Sequence, residues 1–384
     1  MKSLAQVGRL GALVVLGIAA AEVLIMISPF AGFFYASLRF EPLLGSLSKS
    51  PATAWLDGFF LNHAVVTTSR LLEWHRKAGV VLIVLGGAGF LLSAVQVYAN
   101  KLRKRGVATG LLYRLVRHPQ YLCLGVAGWG LLTLWPRFLL LGTWVTMLFL
   151  YAGLARVEER QMAGRFGADY RGFAEARGAF LPGSPVRRLF EATLGRLRPR
   201  ALGWLAAYGS CLVLSLSLAF GLRAYTRASA AVRWEPEHQA VVVSVWPKGQ
   251  EWMARVYRAA LSQAPVRDRL REGQGPHPMV VTILPPRYGM KGMYYTLPTD
   301  AHADGRDGLM GVDPERSAEP VEVVFSRAEK PHRTNLSMAE ALDADVRLTP
   351  LVVVDVDHRR GEATRVRIAL PRNAWGPGVI MPVL

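Results

Sequence analysis

The sequence predicts an α-helical integral membrane domain of about five transmembrane helices, followed by a soluble α+β domain. Three observations carry that expectation. The 384 residues are 51% hydrophobic with a mean hydropathy of +0.22, too apolar for an ordinary soluble chain and long enough for two domains. Apolar runs recur at Leu10 to Phe34, Val80 to Tyr98, Tyr121 to Leu134, Phe138 to Ala155 and Leu202 to Leu222, each approaching the length that crosses a bilayer core. After Tyr225 such runs stop, and the domains divide at residues 1–224 and 225–384.

Charge follows the same division. Residues 1–224 carry 25 of the 46 Lys and Arg and 9 of the 28 acids, so they hold +16 of the net +18. The basic residues gather in Lys101 to Arg117 and in Arg156 to Arg200. Basic loops beside apolar runs match the positive-inside pattern of cytoplasmic loops facing anionic lipid. A nucleic-acid partner is disfavoured by that distribution. With the N-terminus and both basic loops in the cytoplasm, residues 35–78 and 225–384 lie on the opposite side. In a bacterial inner membrane the second domain would be periplasmic. Cys123 and Cys211 are the two cysteines, which leaves no disulfide framework and no metal-type cysteine spacing.

Taken in order, the first run follows Lys2 and Arg9. A secretory signal is the alternative there, but the run exceeds the roughly 7–15 residues of a signal core and reads as a retained anchor. Glu22 lies inside it, where an ionisable group is expensive and marks either a function or a polar neighbour. Residues 35–78 carry Trp55, Phe59, Phe60, Leu71, Leu72, Trp74 and His75 among polar residues, the composition of a segment lying at the membrane interface.

The third and fourth runs form a hairpin split at Trp135-Pro136-Arg137. At about 1.5 Å per residue they are roughly 21 and 27 Å long, so each can cross once with local thinning. Two crossings return the chain to the face it left. Arg117, His118, Tyr121, Glu158 and Glu159 are therefore expected at one membrane surface, facing the cytoplasm.

Beyond the hairpin a helical rhythm continues from Glu158 to Arg177, with Met162, Phe166 and Tyr170 as a stripe for packing on protein or headgroups. Leu181-Pro182-Gly183-Ser184-Pro185 breaks it, and Arg187 to Arg200 leads basically into the last run. In the tail, strands are expected at Gln239 to Trp246, Met279 to Leu284, Val321 to Phe325, Leu351 to Val356 and Thr364 to Leu370, with an amphipathic helix at Gln250 to Leu261. A short helix is expected at Ser337 to Leu342 and a loop at Asp300 to Arg316. His277, His302, His332 and His358 have no metal-type spacing. Asp355-Val356-Asp357 is a strand-end acidic pair that could bind a cation, although most such pairs are merely solvated. Gly289 to Met293 reads as a loop rather than a phosphate cradle.

The hairpin residues carry recognisable chemistry. A guanidinium holds a carboxylate or phosphate through a planar fork, a histidine exchanges protons near neutral pH, and glutamates accept from hydroxyls or ammonium groups. Pro119 is expected to stop a helix arriving from Leu111 and to fix how these side chains point. Adjacent glutamates point about 100° apart on a helix, so one is expected to face a ligand while the other pairs with nearby arginines. Together the groups complement a zwitterionic, cationic, hydroxyl-bearing small molecule.

GLLYRLVRHPQY (Gly110 to Tyr121), the hairpin, EERQMAGRFGADYRGF (Glu158 to Phe173) and Leu181-Pro182 together resemble the integral-membrane methyltransferases, such as isoprenylcysteine carboxyl methyltransferases and phospholipid N-methyltransferases. The resemblance covers about a quarter of the chain, with its core at residues 77–182. It implies an S-adenosylmethionine pocket built from Arg117, His118, Tyr121, Glu158 and Glu159, with His118 and Arg117 as the catalytic candidates and His118 better suited to binding than to general-base work. The implied methyl acceptor is a membrane lipid or a lipidated or hydrophobic molecule. The sequence departs from the pattern at Cys123, where glycine is usual and a larger side chain is expected to narrow the cofactor cleft, and at Phe173, where a second tyrosine is common. One alternative is a sterol-type reductase using NADPH, which shares an RHPxY segment but usually follows it with Gly-Glu, where Leu122-Cys123 stands here. The other is a non-enzymatic anchor or sensor that displays the second domain.

Overall fold

The computed structural model describes residues 24–34, 50, 52–61, 66–103, 106–183, 185–272, 277–285, 295–296, 320–330, 335–342 and 346–371. The chain divides into two compact units. One comprises Met1–Arg39, His75–Trp135 and Leu140–Leu216, and the other Phe40–Trp74, Pro136–Leu139 and Ser217–Leu384.

Helices make up most of the first unit: α1 (Leu24–Phe34), α2 (Arg70–Leu102), α3 (Pro119–Leu134), α4 (Phe138–Ala176), α5 (Pro185–Ala192) and α6 (Arg200–Ala228), of which Arg70–Trp74, Phe138–Leu139 and Ser217–Ala228 belong to the second unit. Among the described residues, α2, α4 and α6 are long and apolar enough to cross a membrane. Their most apolar windows are 17, 39 and 6% buried, so most of that apolar surface has no protein over it. Val80, Val84, Leu85, Leu91 and Val95 on α2, and Val213, Leu214 and Leu218 on α6, all stand exposed, as suits helices solvated by lipid chains. At 16 residues α3 falls short of a full-length span, and α1 is described over 11 residues. Glu22 and the rest of the first apolar run lie outside the described residues.

Close approach of α2 to α3 depends on glycine. A Cβ on Gly86 would meet the Ala127 nitrogen at 2.5 Å and the Cys123 carbonyl oxygen at 2.6 Å, and one on Gly130 would meet the Gly79 carbonyl oxygen at 2.6 Å. Backbones in contact through small residues give helix packing in lipid its dispersion and weak polar contacts. Between α3 and α4, the Trp144 indole donates to the Gly125 carbonyl at 3.0 Å. The α4–α6 pair is joined by the Thr146 and Tyr208 hydroxyls at 2.9 Å and by Phe149 edge-on to Trp204.

Two expectations about local structure change. The Leu71 to His75 segment belongs to the first turns of α2 rather than to an interfacial connection. Phe59 and Phe60 are buried, 4 and 6% exposed, with Phe60 and Trp55 edge-on to Phe138. Aromatic bulk that the composition assigns to an interface instead fills a protein core, because the connection folds back on Pro136 and Phe138 through backbone hydrogen bonds.

The second unit contains a mixed six-stranded sheet in the order β1-β2-β3-β5-β6-β7. Its strands are β1 (Val232–Glu235), β2 (Ala240–Ser244), β3 (Met279–Leu284), β5 (Val321–Glu329), β6 (Arg347–Asp357) and β7 (Glu362–Ile368), with β4 (Tyr295–Thr296) and β8 (Leu370–Pro371) pairing separately. Parallel β2 and β3 are connected through α7 (Gln250–Leu261) and α8 (Ala264–Glu272). Met253, Val256, Tyr257, Val266 and Leu270 from these helices pack on Val242, Val281, Val323, Phe325 and Val354. On the other face Ala341, Leu342 and Val346 cover Val241, Val243 and Val280.

The expected strands and α7 are present, and β5 and β6 extend beyond the expected ends. Neither β1 nor α8 was legible. The Ser337 to Leu342 helix is one 3₁₀ turn, Ala339–Leu342, where the Glu340 carboxylate accepts from the Ser337 amide at 2.9 Å. Asp300 to Arg316, Gly289 to Met293, His302 and His332 lie outside the described residues.

Candidate functional site

Local backbone geometry sets where the site residues point. Gly110 leads into a 3₁₀ turn, Leu111–Arg114, and Pro119 is the first residue of α3. Pro119 therefore begins a helix rather than stopping one, since its missing N–H costs nothing in a first turn. His118 is the N-cap, at φ −122° and ψ 61°. The strand-like stretch before it is clasped by residues that follow α4. The Arg117 amide donates to the Gly178 carbonyl at 2.9 Å and the His118 amide to the Ala179 carbonyl at 3.0 Å. The Arg177 guanidinium donates to the Arg114 carbonyl at 3.2 Å.

All five site residues meet. Arg117 Nη2 lies 3.1 Å from Glu159 Oε1, and its Nη1 donates to the Ala174 carbonyl at 3.3 Å. The His118 ring stands between the two carboxylates, with Nε2 3.0 Å from Glu159 Oε1 and Nδ1 3.5 Å from Glu158 Oε2. The Tyr121 hydroxyl donates to Glu158 Oε1. Arg117 and His118 side chains are 9 and 8% exposed, whereas Glu158 is 48% exposed and Glu159 25%. The division of labour between the glutamates thus follows the helix geometry only in part. Glu159 takes the arginine as expected, yet both reach the imidazole.

The electrostatics follow from these contacts. Burial works to lower the His118 pKa, but the hydrogen bonds the ring donates to Glu158 and Glu159 and the charges of both carboxylates outweigh it and hold the imidazole above its ordinary value. Both ring nitrogens can donate only from the cationic form, so the carboxylate pair favours an imidazolium.

Residues with no individual signal complete the site. Tyr151, 1% exposed, stacks on Tyr121 with ring centroids 4.8 Å apart, and Phe180 packs against His118. A tyrosine in the middle of an apolar run is indistinguishable from core by sequence. The Met162, Phe166 and Tyr170 stripe packs on protein, against Ala108 and Tyr113.

The Cys123 sulfur is 2.6 Å from where a Gly89 Cβ would stand, so the side chain is directed at α2. In the tail, Asp355 pairs with Arg367, which also meets Glu322 at 2.9 Å. Asp357 Oδ1 accepts from the Arg359 and Arg360 amides at 2.9 and 3.1 Å. That acidic pair is taken up by protein donors rather than held open for a cation. Among the described residues no three His, Cys, Asp or Glu side chains group as metal ligands.

No family model, curated protein or solved structure matches this chain.

Proposed function

We propose that this chain is a membrane-embedded, S-adenosylmethionine-dependent methyltransferase acting at the cytoplasmic face on a lipid or a lipidated or hydrophobic acceptor. One observation carries the reading. Arg117, His118 and Tyr121 meet Glu158 and Glu159 in one cluster although about forty residues of hairpin separate them. The proposed topology has five spans, formed by the first apolar run, α2, α3, α4 and α6, and the charge distribution supports a cytoplasmic site with residues 225–384 across the membrane.

The donor set fits the cofactor. Arg117 Nε is buried and makes no hydrogen bond among the described residues, leaving donor capacity for a carboxylate. Glu158, half exposed, keeps lone pairs for hydroxyl or ammonium donors. When bound, the cofactor supplies a methyl group activated by a sulfonium. Arg117 and Glu159 hold one another in place, His118 locks the glutamates at a fixed separation, and Tyr121 orients Glu158. These residues supply positioning and a charge-complementary, partly dehydrated surface rather than covalent chemistry. His118, cationic between two carboxylates, is suited to holding the site together and not to removing a proton from the acceptor.

Calorimetry of S-adenosylmethionine with detergent-purified wild type, Glu158→Ala and Arg117→Ala tests the reading. Saturable wild-type binding that both variants lose is expected. Folded wild type that binds NADPH instead, or binds neither ligand, would overturn it. A methyl-transfer screen over phospholipid amines, the carboxylates of lipidated thiols and small hydrophobic thiols then identifies the acceptor.

A further inference from the structure

Next to the ionic cluster, and sharing Arg117 and Glu159 with it, is an open cleft of about 330 Å³ lined by Arg117, Arg156, Glu159, Arg160, Tyr170 and Arg171. That volume is at the low end of small-ligand sites, roughly 300–1,000 Å³. Apart from Arg117, its lining comes from one helix, α4. Gly167, at φ 54° and ψ −119°, breaks the helical path of α4, in a region that only glycine enters readily. Arg156 and Arg160 precede the kink, and Tyr170 and Arg171 follow it.

Four guanidinium groups face one carboxylate. Arg156 is stacked over the Trp204 ring, 3.4 Å from its centroid. Arg117 is nine-tenths buried and already meets Glu159 at 3.1 Å, so the charge left for a second ligand comes from Arg156, Arg160 and Arg171. Among the described residues neither Arg160 nor Arg171 makes an ion pair. Four like charges against one neutralising acid repel one another, and an arginine fork is matched to phosphate oxygens. The apolar run of α4 ends at Ala155, one residue before Arg156, so in a membrane the cleft stands at headgroup level.

We infer that this cleft is a phosphate-binding site occupied by the phosphodiester headgroup of an anionic lipid. It goes beyond methyl transfer, because the lipid bound there need carry no methyl-accepting group, and Arg156, Arg160 and Arg171 lie outside the five residues assigned to the cofactor. It rests on the membrane reading of α4.

The test uses the full chain in neutral detergent, titrated with phosphatidylglycerol, phosphatidylcholine or inorganic phosphate, with bound ligand counted by native mass spectrometry. One phosphatidylglycerol is expected to bind well ahead of phosphatidylcholine. Arg160→Gln/Arg171→Gln should weaken it about tenfold or more, while Arg165→Gln/Arg188→Gln, which removes the same charge away from the cleft, should not. If the first variant melts early without ligand, Arg160→Lys keeps the charge, loses the fork, and should still bind several-fold less tightly. Equal losses in the two glutamine variants would mean a diffuse surface potential and overturn the site. Inorganic phosphate binding as tightly as phosphatidylglycerol, with the same dependence on Arg160 and Arg171, would overturn the lipid source and assign a soluble phosphate.

Discussion

Glu159→Gln removes the charge that both buried cations of the site share. In the folded chain Glu159 meets Arg117 at 3.1 Å and His118 at 3.0 Å, and those partners are about 9% exposed. A hydrogen bond to a charged group contributes about 1.5–3 kcal/mol, and removing one partner of a fully buried pair costs about 3–5 kcal/mol. Glutamine retains one acceptor oxygen, and Glu159 is a quarter exposed, so solvent screens part of the loss. The expected destabilisation is about 2 kcal/mol, which lowers Tm by roughly 4–8 °C for a unit of 150–250 residues. The exposed Arg187–Glu191 pair on α5 is the control, since removing it should cost no more than about 0.5 kcal/mol. Thermal melts of the detergent-purified chain, followed by near-ultraviolet circular dichroism, read both. The effect should also depend on pH. The His118 pKa is raised in the folded chain, so the stabilisation from its protonated form is complete below about 6.5, the unfolded value, and is lost as pH rises through the folded value. The gap between wild type and Glu159→Gln should therefore narrow as pH rises. An unchanged Tm, or a gap that widens with pH, would refute the account of Glu159 as the shared counter-charge.

Gly130→Ala drives a methyl against the Gly79 carbonyl and should cost about 1–3 kcal/mol, whereas Gly87→Ala, with nothing within 4 Å, should be neutral or stabilising by up to about 1 kcal/mol; equal melts for the two would contradict the close α2–α3 packing. Arg367→Met leaves Glu322 and Asp355, 3 and 15% exposed, without their shared cation and should destabilise the sheet unit by about 3 kcal/mol, read by denaturant titration of the full chain. For topology, Arg196→Cys and Glu237→Cys in a background carrying Cys123→Ala and Cys211→Ala should label on opposite sides in intact cells, Glu237→Cys with an impermeant maleimide and Arg196→Cys only after permeabilisation. Labelling of both from outside would refute the five-span arrangement.

Several features were legible because they depend on short-range pattern. The amphipathic face of Gln250–Leu261 and the Val runs of β2, β3 and β6 mark a helix and strands directly. The site was legible for a different reason, namely that a hairpin of two apolar runs brings the residues at its two ends together. Other features were not. In β1, Val232–Glu235 is short and carries Arg and Glu at alternate positions, and it exists because β2 offers it an antiparallel edge. Pro119 looks the same whether it ends one helix or begins the next, and the Gly178 and Ala179 carbonyls that pin the preceding residues arrive from sixty positions away. Tyr151 gives no signal until α3 and α4 bring its ring over Tyr121.

Apolar length, local periodicity and the hairpin's flanks determined by sequence alone that this chain has helices suited to lipid and an α+β tail, and that Arg117, His118, Tyr121, Glu158 and Glu159 belong together. Tertiary structure decided how they meet. Both carboxylates converge on one imidazole, the Cys123 sulfur turns to α2, and a glycine of positive φ kinks α4 between the arginines that line the cleft. Direction, burial and shared counter-charge depend on distances across elements, and no local run of residues encodes those.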